Sequence, residues 1–265
     1  MPSSSCRPER SEESLNKVRL NMKSLLLMIT FFTRIPIKYN YEYYEKDFIK
    51  GIKFFPFIGL IIGIIMYIPA LFKGFIHAPV ISLLSWVIYL WITGGLHIDG
   101  LADTFDGIFS NRSKEKILEI MKDSRIGAFG VIGILLLIIW NLIFTSYIDM
   151  RTIIIVPIVG RSTAILSASI SQYARESPGM GKGFIENCGV EEIILAVIFS
   201  FIPVILLFKL QGITILTIMY LAVFIVTRNI NKKIGGMTGD TIGFVIELSQ
   251  GIFIFLTYLF GVSNL

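Results

Sequence analysis

The chain has 265 residues, of which 54% are hydrophobic and 16% are charged, with a mean hydropathy of +0.74. Soluble domains carry about 25% charged residues, so this composition excludes an ordinary soluble domain and indicates a membrane protein. The formal net charge is +5, but the basic residues alternate between loops, which favours membrane topology over a nucleic-acid-binding face.

The N-terminal region lacks the apolar character of the rest of the chain. Residues 1–21 are polar and mixed in charge, with no apolar core of the signal-peptide kind. We predict that they form a disordered extension and that residues 22–265 form a single membrane-embedded domain. Residues 23–37 are too few to span a bilayer comfortably, so we expect an interfacial or half-inserted helix there.

Seven long apolar runs follow this short segment. Most approach the roughly 20 residues that a helix needs to cross a bilayer. The predicted fold is therefore all-α: a polytopic integral membrane helix bundle with about seven transmembrane helices and a short N-terminal helix. The runs are 52–72, 78–98, 127–148, 153–170, 193–208, 213–227 and 242–260.

The distribution of Lys and Arg predicts the orientation of the bundle. Fourteen lie in four longer loops, whereas the intervening connections carry three. By the positive-inside rule, these longer loops face the cytoplasm, which places the protein in the cytoplasmic (inner) membrane with its active site on the cytoplasmic side. The loops are residues 38–53, 99–126, 171–191 and 228–240.

Three aspartates follow the second apolar run, in the stretch GLHIDGLADTFDG. Asp99, Asp103 and Asp106 recur at i, i+4 and i+7, so on a helix they share a stripe about 60° wide. Like charges this close repel, and a divalent cation would relieve the repulsion; carboxylate oxygens suit Mg²⁺ or Mn²⁺. An acidic helix end that binds nothing is the alternative. His97 lies about 200° from Asp99, so we assign it a structural role.

More charged residues begin the next span, in MKDSRIGAFG. Asp123 could complete a metal site with the stripe, while Lys122 and Arg125 could bind phosphate oxygens. The alternative is that these residues only anchor the span at the membrane interface.

Two glycine-rich loops also carry basic residues. Residues 173–184 include Arg175 and Lys182, and residues 235–240 contain three further glycines. Loops of this kind can cradle phosphates through backbone N–H groups, so both are candidates for substrate binding.

Arg161 and Glu247 each interrupt an apolar run. A charge at bilayer depth costs about 2.5–3.5 kcal/mol on insertion scales, so it usually faces a cavity or a partner. Asp240, Gly243, Glu247 and Gly251 lie near one face of the last helix, which we predict to be a cavity wall. A structural ion pair between Arg161 and Glu247 is the alternative.

Carboxylates for a metal and basic groups for phosphate, without a Cys or Ser-His nucleophile, favour metal-assisted phosphoryl or nucleotidyl transfer. We assign the metal and catalytic role to the four aspartates and substrate or phosphate binding to seven other residues. The metal and catalytic set is Asp99, Asp103, Asp106 and Asp123. The binding set is Lys122, Arg125, Arg161, Arg175, Lys182, Asp240 and Glu247.

The sequence resembles the cobalamin synthase family of adenosylcobinamide-GDP ribazoletransferases. The resemblance implies that a hydroxyl of α-ribazole, or of its 5′-phosphate, attacks the corrin-proximal phosphorus of adenosylcobinamide-GDP and releases GMP, with Mg²⁺ as the cofactor. It implies no nucleic-acid partner. Matching stretches are FFTRIPI (31–37), FPFIGLIIG (55–63), GGLHIDGLADTFDG (94–107), MKDSRIGAFG (121–130), GR (160–161), YARESPGMGKGF (173–184) and GGMTGDTIG (235–243).

Two other functions fit parts of the pattern. A CDP-alcohol phosphatidyltransferase would use a similar aspartate stripe, but the Ala-Arg that follows the second Asp-Gly of that family is missing here. A cation-coupled transporter would also place Arg161, Asp240 and Glu247 within the membrane. Transporters commonly show internal repeats, and none is evident in this sequence.

Overall fold

The computed structural model describes residues 7–38, 43–177 and 179–261. Within these ranges the chain forms eleven α-helices and an isolated β-bridge. The helices are α1 (Arg7–Phe32), α2 (Glu45–Gly51), α3 (Phe55–Met66), α4 (Ala78–Thr93), α5 (Leu96–Phe109), α6 (Lys114–Ile120), α7 (Ala128–Thr145), α8 (Thr152–Ser169), α9 (Met180–Glu186), α10 (Val190–Ile234) and α11 (Gly239–Gly261).

The predicted class, a polytopic helical membrane protein, is confirmed. Among the described residues, five helical segments are long and apolar enough to cross a membrane, or six if α4 and α5 form one bent span. One of the five is α10, in which Lys209 has a non-helical backbone (φ 53°, ψ −134°). The hydroxyls of Ser200 and Tyr220 lie 2.8 Å apart, although 20 residues of straight helix would separate them by about 30 Å. α10 therefore folds back on itself, and its halves correspond to the predicted runs 193–208 and 213–227.

The N-terminal helix is longer than the short segment predicted. α1 is continuous from Arg7 to Phe32, so no break marks residue 21 and the backbone is helical where we expected a disordered extension. Residues 1–6 lie outside the described part of the chain. α1 is not among the segments suited to cross a membrane, and its buried Ser24 and Met28 pack against Gly51 of α2. The division at residue 21 stays a prediction.

α8 is the central helix of the bundle, with almost all of its side chains buried. Two glycines of α3 allow its backbone to approach α8 closely. A Cβ at Gly59 would lie 2.5 Å from the carbonyl oxygen of Pro157, and one at Gly63 would collide with the carbonyl of Ile154. Small residues at such crossings replace side-chain bulk with backbone contact.

A right-angle bend separates α4 from α5. The two helices meet at 90° across Gly94 and Gly95, which have φ values of +65° and +74°. Such values are readily available to glycine because it has no Cβ. α4 therefore ends at Thr93, within the predicted run 78–98, and the aspartate stripe lies on a separate helix, α5.

Candidate active site

The site is built where α5 crosses the beginning of α11. A Cβ added to Gly100 would lie 2.7 Å from the carbonyl oxygen of Asp240, and one added to Gly243 would lie 3.1 Å from that of His97. The two backbones are therefore almost in contact. This crossing brings the carboxylate-bearing face of α5 to the first turn of α11.

Three carboxylates gather at this crossing. Asp103 is within electrostatic range of both Asp240 and Asp99, and Asp240 is within range of Asp99. Asp103 and Asp240 are half-buried, whereas Asp99 is exposed. Asp240, which the sequence suggested as a substrate-binding residue, thus belongs to the carboxylate group. We call these three residues the carboxylate cluster.

Arg175 is the cation of this cluster. Its Nη2 donates a hydrogen bond to Oδ2 of Asp240 at 2.7 Å, and the hydroxyl of Thr238 donates to the same oxygen at 3.3 Å. Nε of Arg175 is buried and has no hydrogen-bond partner among the described residues. Arg175 therefore balances part of the negative charge of the three carboxylates.

A backbone clip holds Arg175 in this position. The N–H of Ala174 donates to the carbonyl of Met237 at 2.9 Å, and the N–H of Met237 donates to the carbonyl of Gln172 at 2.8 Å. Gly236 lies in the clip with φ +153°, and a Cβ there would collide with the carbonyl of Gln172. These hydrogen bonds join the two glycine-rich loops predicted from the sequence. The close approach of Gln172 explains why residue 236 is a glycine.

Asp106 has a different environment from its neighbours on the stripe. Its Oδ2 accepts a hydrogen bond from the N–H of Gly127 at 2.7 Å, and its Oδ1 accepts one from the N–H of Gly130 at 2.8 Å. These N–H groups belong to the first turn of α7, which lacks intrahelical partners and favours negative charge. A Cβ at Gly130 would lie 2.5 Å from this carboxylate, and one at Gly127 would overlap it. Asp106 thus caps α7 with both of its oxygens, although it remains within electrostatic range of Asp103.

Asp123 also lies apart from the cluster. Both of its oxygens accept hydrogen bonds from the Arg125 guanidinium, at 2.6–3.2 Å, and this pairing lowers the pKa of Asp123 to about 2. The Arg125 side chain is 87% exposed. Asp149 and Arg151, in the same Asp-x-Arg spacing, form the same bidentate contact after α7. The contact is therefore a local turn feature, and it occupies both oxygens of Asp123.

The predicted set of four metal ligands is thus not assembled as one site. Asp99 and Asp103 are gathered with Asp240, while Asp106 and Asp123 use their oxygens elsewhere. Within 7–38, 43–177 and 179–261, no three Asp, Glu, His or Cys side chains are positioned to hold a metal ion together. The donor chemistry of the cluster nevertheless suits Mg²⁺, which is usually bound by one or two carboxylates together with water and substrate phosphates.

The two predicted lysines differ in their closeness to the site. Nζ of Lys122 is 3.4 Å from the Ser177 hydroxyl, in the loop that also carries Arg175. Lys182 is exposed on α9, with its amine 4.0 Å from Glu186. Lys122 is therefore placed to reach an anion beside Arg175, whereas the structure pairs Lys182 only with its own helix.

Arg161 and Glu247 lie inside the bundle, both with no exposed surface. The Tyr89 hydroxyl donates to Oε1 of Glu247 at 2.5 Å, while Nη1 of Arg161 lies 3.3 Å from both the Tyr89 oxygen and Oε1 of Gln250. Of the residues in the predicted cavity wall on α11, Asp240 and Gly251 line cavities, whereas Gly243 packs on α5 and Glu247 is buried against Tyr89. The substrate-binding role assigned to Arg161 and Glu247 stays an untested prediction.

Two cavities border the carboxylate cluster. The first, which we call the phenylalanine cavity, has a volume of about 190 Å³ and is lined by His97, Asp99, Asp240 and a group of aromatic side chains. The second, the aspartate cleft, has a volume of about 450 Å³ and is lined by Asp99, Asp103, Ser124 and the bend between α4 and α5. Asp99 borders both cavities, so two molecules could meet at its carboxylate.

His97, to which the sequence analysis assigned a structural role, borders one of these cavities, and that role stays an untested prediction. It lines the phenylalanine cavity, is 4% exposed, and its Nε2 has no hydrogen-bond partner among the described residues. The helical angle from Asp99 suggested a merely structural role, because an angle on one helix does not show what the neighbouring helices leave open. The aromatic pairs at 31–32 and 54–55, which flank a polar loop, were the available signal for this cavity.

Comparison with known proteins gives consistent results over most of the chain. The family model described as "Cobalamin-5-phosphate synthase" matches residues 24–258. An adenosylcobinamide-GDP ribazoletransferase of Alkaliphilus oremlandii is 56% identical over 238 residues, which cover 90% of this chain and 98% of that protein. Proteins of the same name from Acetivibrio thermocellus and Clostridium acetobutylicum are each 41% identical, over 90% and 89% of this chain and 98% and 96% of their own length. No solved structure matches the chain.

Proposed function

The chain belongs to the cobalamin-5-phosphate synthase family, and we propose that it is an adenosylcobinamide-GDP ribazoletransferase. The observation that carries this proposal is the carboxylate cluster with Arg175, placed between two cavities. A transferase that joins two substrates through phosphorus needs both of them to meet at one charged site. Here Asp99 lines both cavities, together with Leu96.

In the proposed reaction, a hydroxyl oxygen of ribazole, or of its 5′-phosphate, forms a bond to the corrin-proximal phosphorus of adenosylcobinamide-GDP. The bond between that phosphorus and the bridging oxygen breaks, GMP leaves with this oxygen, and the hydroxyl proton is transferred to a base. Catalysis of such displacements depends on positioning and on stabilising charge around phosphorus.

The chain's own residues can position the substrates and stabilise the charge around phosphorus. Asp99 borders both cavities and can accept a hydrogen bond from the attacking hydroxyl, which orients it and receives its proton. The guanidinium of Arg175 lies beside Asp240 and would balance charge on the diphosphate, and the amine of Lys122 lies in the same loop contact. These cations would stabilise the negative charge that develops on the leaving GMP.

We propose that Mg²⁺ binds at Asp99 and Asp103, with Asp240 beside them, rather than at Asp106 or Asp123. When bound, the ion would polarise the phosphoryl oxygens and offset their charge. The repulsion between the three carboxylates supports this choice, because a cation would relieve it. Asp106 and Asp123 have less need of a cation, because backbone N–H groups already pair with Asp106 and Arg125 already pairs with Asp123.

We further propose that the site faces the cytoplasm. The basic loops lie at one end of the bundle: Lys53 pairs with Glu191 at 3.2 Å, and Lys233 donates to the carbonyl of Ile108 at 2.6 Å. A cysteine at Ser113 should therefore react with an impermeant reagent only from the cytoplasmic side, and one at Gly74 only from outside. Labelling of Ser113→Cys in intact cells would contradict this orientation.

Reconstitution with purified protein tests the function. With Mg²⁺, adenosylcobinamide-GDP and α-ribazole, we expect cobalamin and GMP in equal amounts. Asp103→Asn should lower turnover at least about 100-fold, because it removes a charge next to the reacting phosphates. Asp149→Asn, at the other end of α7 and in an ion pair with Arg151, is the matched control and should retain activity. Wild-type protein that forms no cobalamin would refute the proposal.

A further inference from the structure

We propose that the phenylalanine cavity binds the benzimidazole base of ribazole, while the aspartate cleft receives the diphosphate of the corrinoid substrate. The inference rests on the proposed function and names the subsite for one of its two substrates. It is drawn from the lining of the cavity, its size and the unpartnered nitrogen of His97.

The lining of the cavity suits a flat aromatic ring. Five phenylalanine side chains from four segments of the chain surround it, and several of them contact one another at ring-centroid distances of 4.6–5.5 Å. Aromatic walls bind planar bases by stacking and edge-to-face contacts. The phenylalanines are Phe31, Phe32, Phe48, Phe55 and Phe184.

The size of the cavity restricts the ligand. A volume of about 190 Å³ is below the roughly 300–1,000 Å³ typical of sites for drug-sized ligands, so it suits a single bicyclic base. A corrin ring is far larger than this. Asp99 and Asp240 lie in the lining, so a base held among the phenylalanines would direct its ribose toward the carboxylate cluster.

His97 supplies the polar contact. Its ring lies 6.0 Å from Phe32 at an interplanar angle of 26°, and its Nε2 is buried without a partner among the described residues. A buried, unpaired ring nitrogen is costly, and a ligand that pairs with it removes that cost. The benzimidazole of ribazole carries one ring nitrogen that is not bonded to the sugar, which can accept a hydrogen bond from an Nε2–H.

The guanine of the second substrate is the competing occupant. Guanine carries several donors and acceptors on its edges, whereas the lining offers His97, two carboxylates and mainly aromatic carbon. A carboxylate could pair with the N–H edge of guanine, but among the lining side chains only His97 would then remain for its O6 and N7 acceptors, so a buried acceptor would be left unpaired. The apolar base with one acceptor is therefore the better match.

Steady-state kinetics with two variants tests the assignment. Phe31→Leu removes a half-buried ring, and His97→Phe keeps a ring but removes the nitrogen. Each should raise KM for ribazole about tenfold, the effect expected from the loss of one stacking or hydrogen-bond contact, with KM for adenosylcobinamide-GDP within about twofold of wild type. Phe199→Leu is the matched control, because Phe199 is half-buried on α10 and contacts Phe57 outside the cavity.

Equilibrium binding of ribazole, and competition by free benzimidazole, separate this inference from the proposed function. Wild-type protein should bind ribazole without the second substrate, and both variants should bind it more weakly. An increase of KM for adenosylcobinamide-GDP instead would assign the cavity to guanine and overturn the inference, as would unchanged kinetics in both variants. Loss of all wild-type turnover with ribazole binding intact would refute only the proposed function.

Discussion

Asp103 and Asp106 lie three residues apart on α5, yet the structure predicts opposite consequences when each is changed to Asn. Asp106 accepts two hydrogen bonds from the first turn of α7. Asn retains one acceptor oxygen, so the change removes one charge-assisted hydrogen bond and the attraction of a full charge to the helix end. These contributions are about 1.5–3 kcal/mol and 0.3–1 kcal/mol.

We therefore expect Asp106→Asn to lower the free energy of unfolding by about 2 kcal/mol. For a chain of this size, this corresponds to a fall in Tm of about 4–8 °C. Asp103 accepts no hydrogen bond from the described residues, and the charges of Asp99 and Asp240 act against it. Asp103→Asn should therefore leave Tm unchanged or higher while turnover is lost.

Thermal unfolding in detergent, measured beside turnover over a range of Mg²⁺ concentrations, distinguishes the two roles. Asp106→Asn should be less stable but retain turnover at low temperature, with an unchanged Mg²⁺ requirement. Asp103→Asn should be stable and inactive. If Asp106→Asn were as stable as wild type and needed more Mg²⁺, Asp106 would be a metal ligand and the capping argument would fail.

Three further results follow from other contacts. Truncation of either Arg161 or Glu247 should destabilise the protein by about 3–5 kcal/mol, measured by thermal unfolding, because it breaks a buried polar cluster; a double apolar replacement that recovers no stability would contradict this. Gly100→Val should abolish turnover in a folded protein, since the new side chain collides with the Asp240 backbone, and an active variant would show that the helix crossing is not needed. Deletion of residues 1–21 should leave turnover nearly unchanged, because the family match begins at residue 24; a large loss would make the N-terminal turns of α1 part of the enzyme.

The sequence was sufficient for the class of fold because long apolar runs can be read without any neighbour. The same is true of the aspartate stripe, since Asp99, Asp103 and Asp106 do lie on one helix. The partner of each carboxylate could not be predicted in this way. Asp106 contacts N–H groups 21 and 24 residues away, and Asp240 joins the cluster from the last helix.

The sequence patterns also did not locate the bend of the backbone between α4 and α5. The apolar run through Thr93 continues past two glycines, and hydropathy does not record a change of direction there. The right angle after Thr93 depends on Gly94 and Gly95 both having positive φ. The cavity around His97 was missed for a related reason: it is formed by side chains from helices distant in sequence, so no single segment carries its pattern.

Because the chain bends after Thr93, the length of α4 sets the position at which α5 and its aspartates begin. With 16 residues, α4 extends about 24 Å, and α5 leaves at its end in a new direction. Asp240 meets α5 from the first turn of α11. An insertion of one helical turn in α4 would shift Asp99 by about 5 Å relative to Asp240 and would separate the two carboxylates.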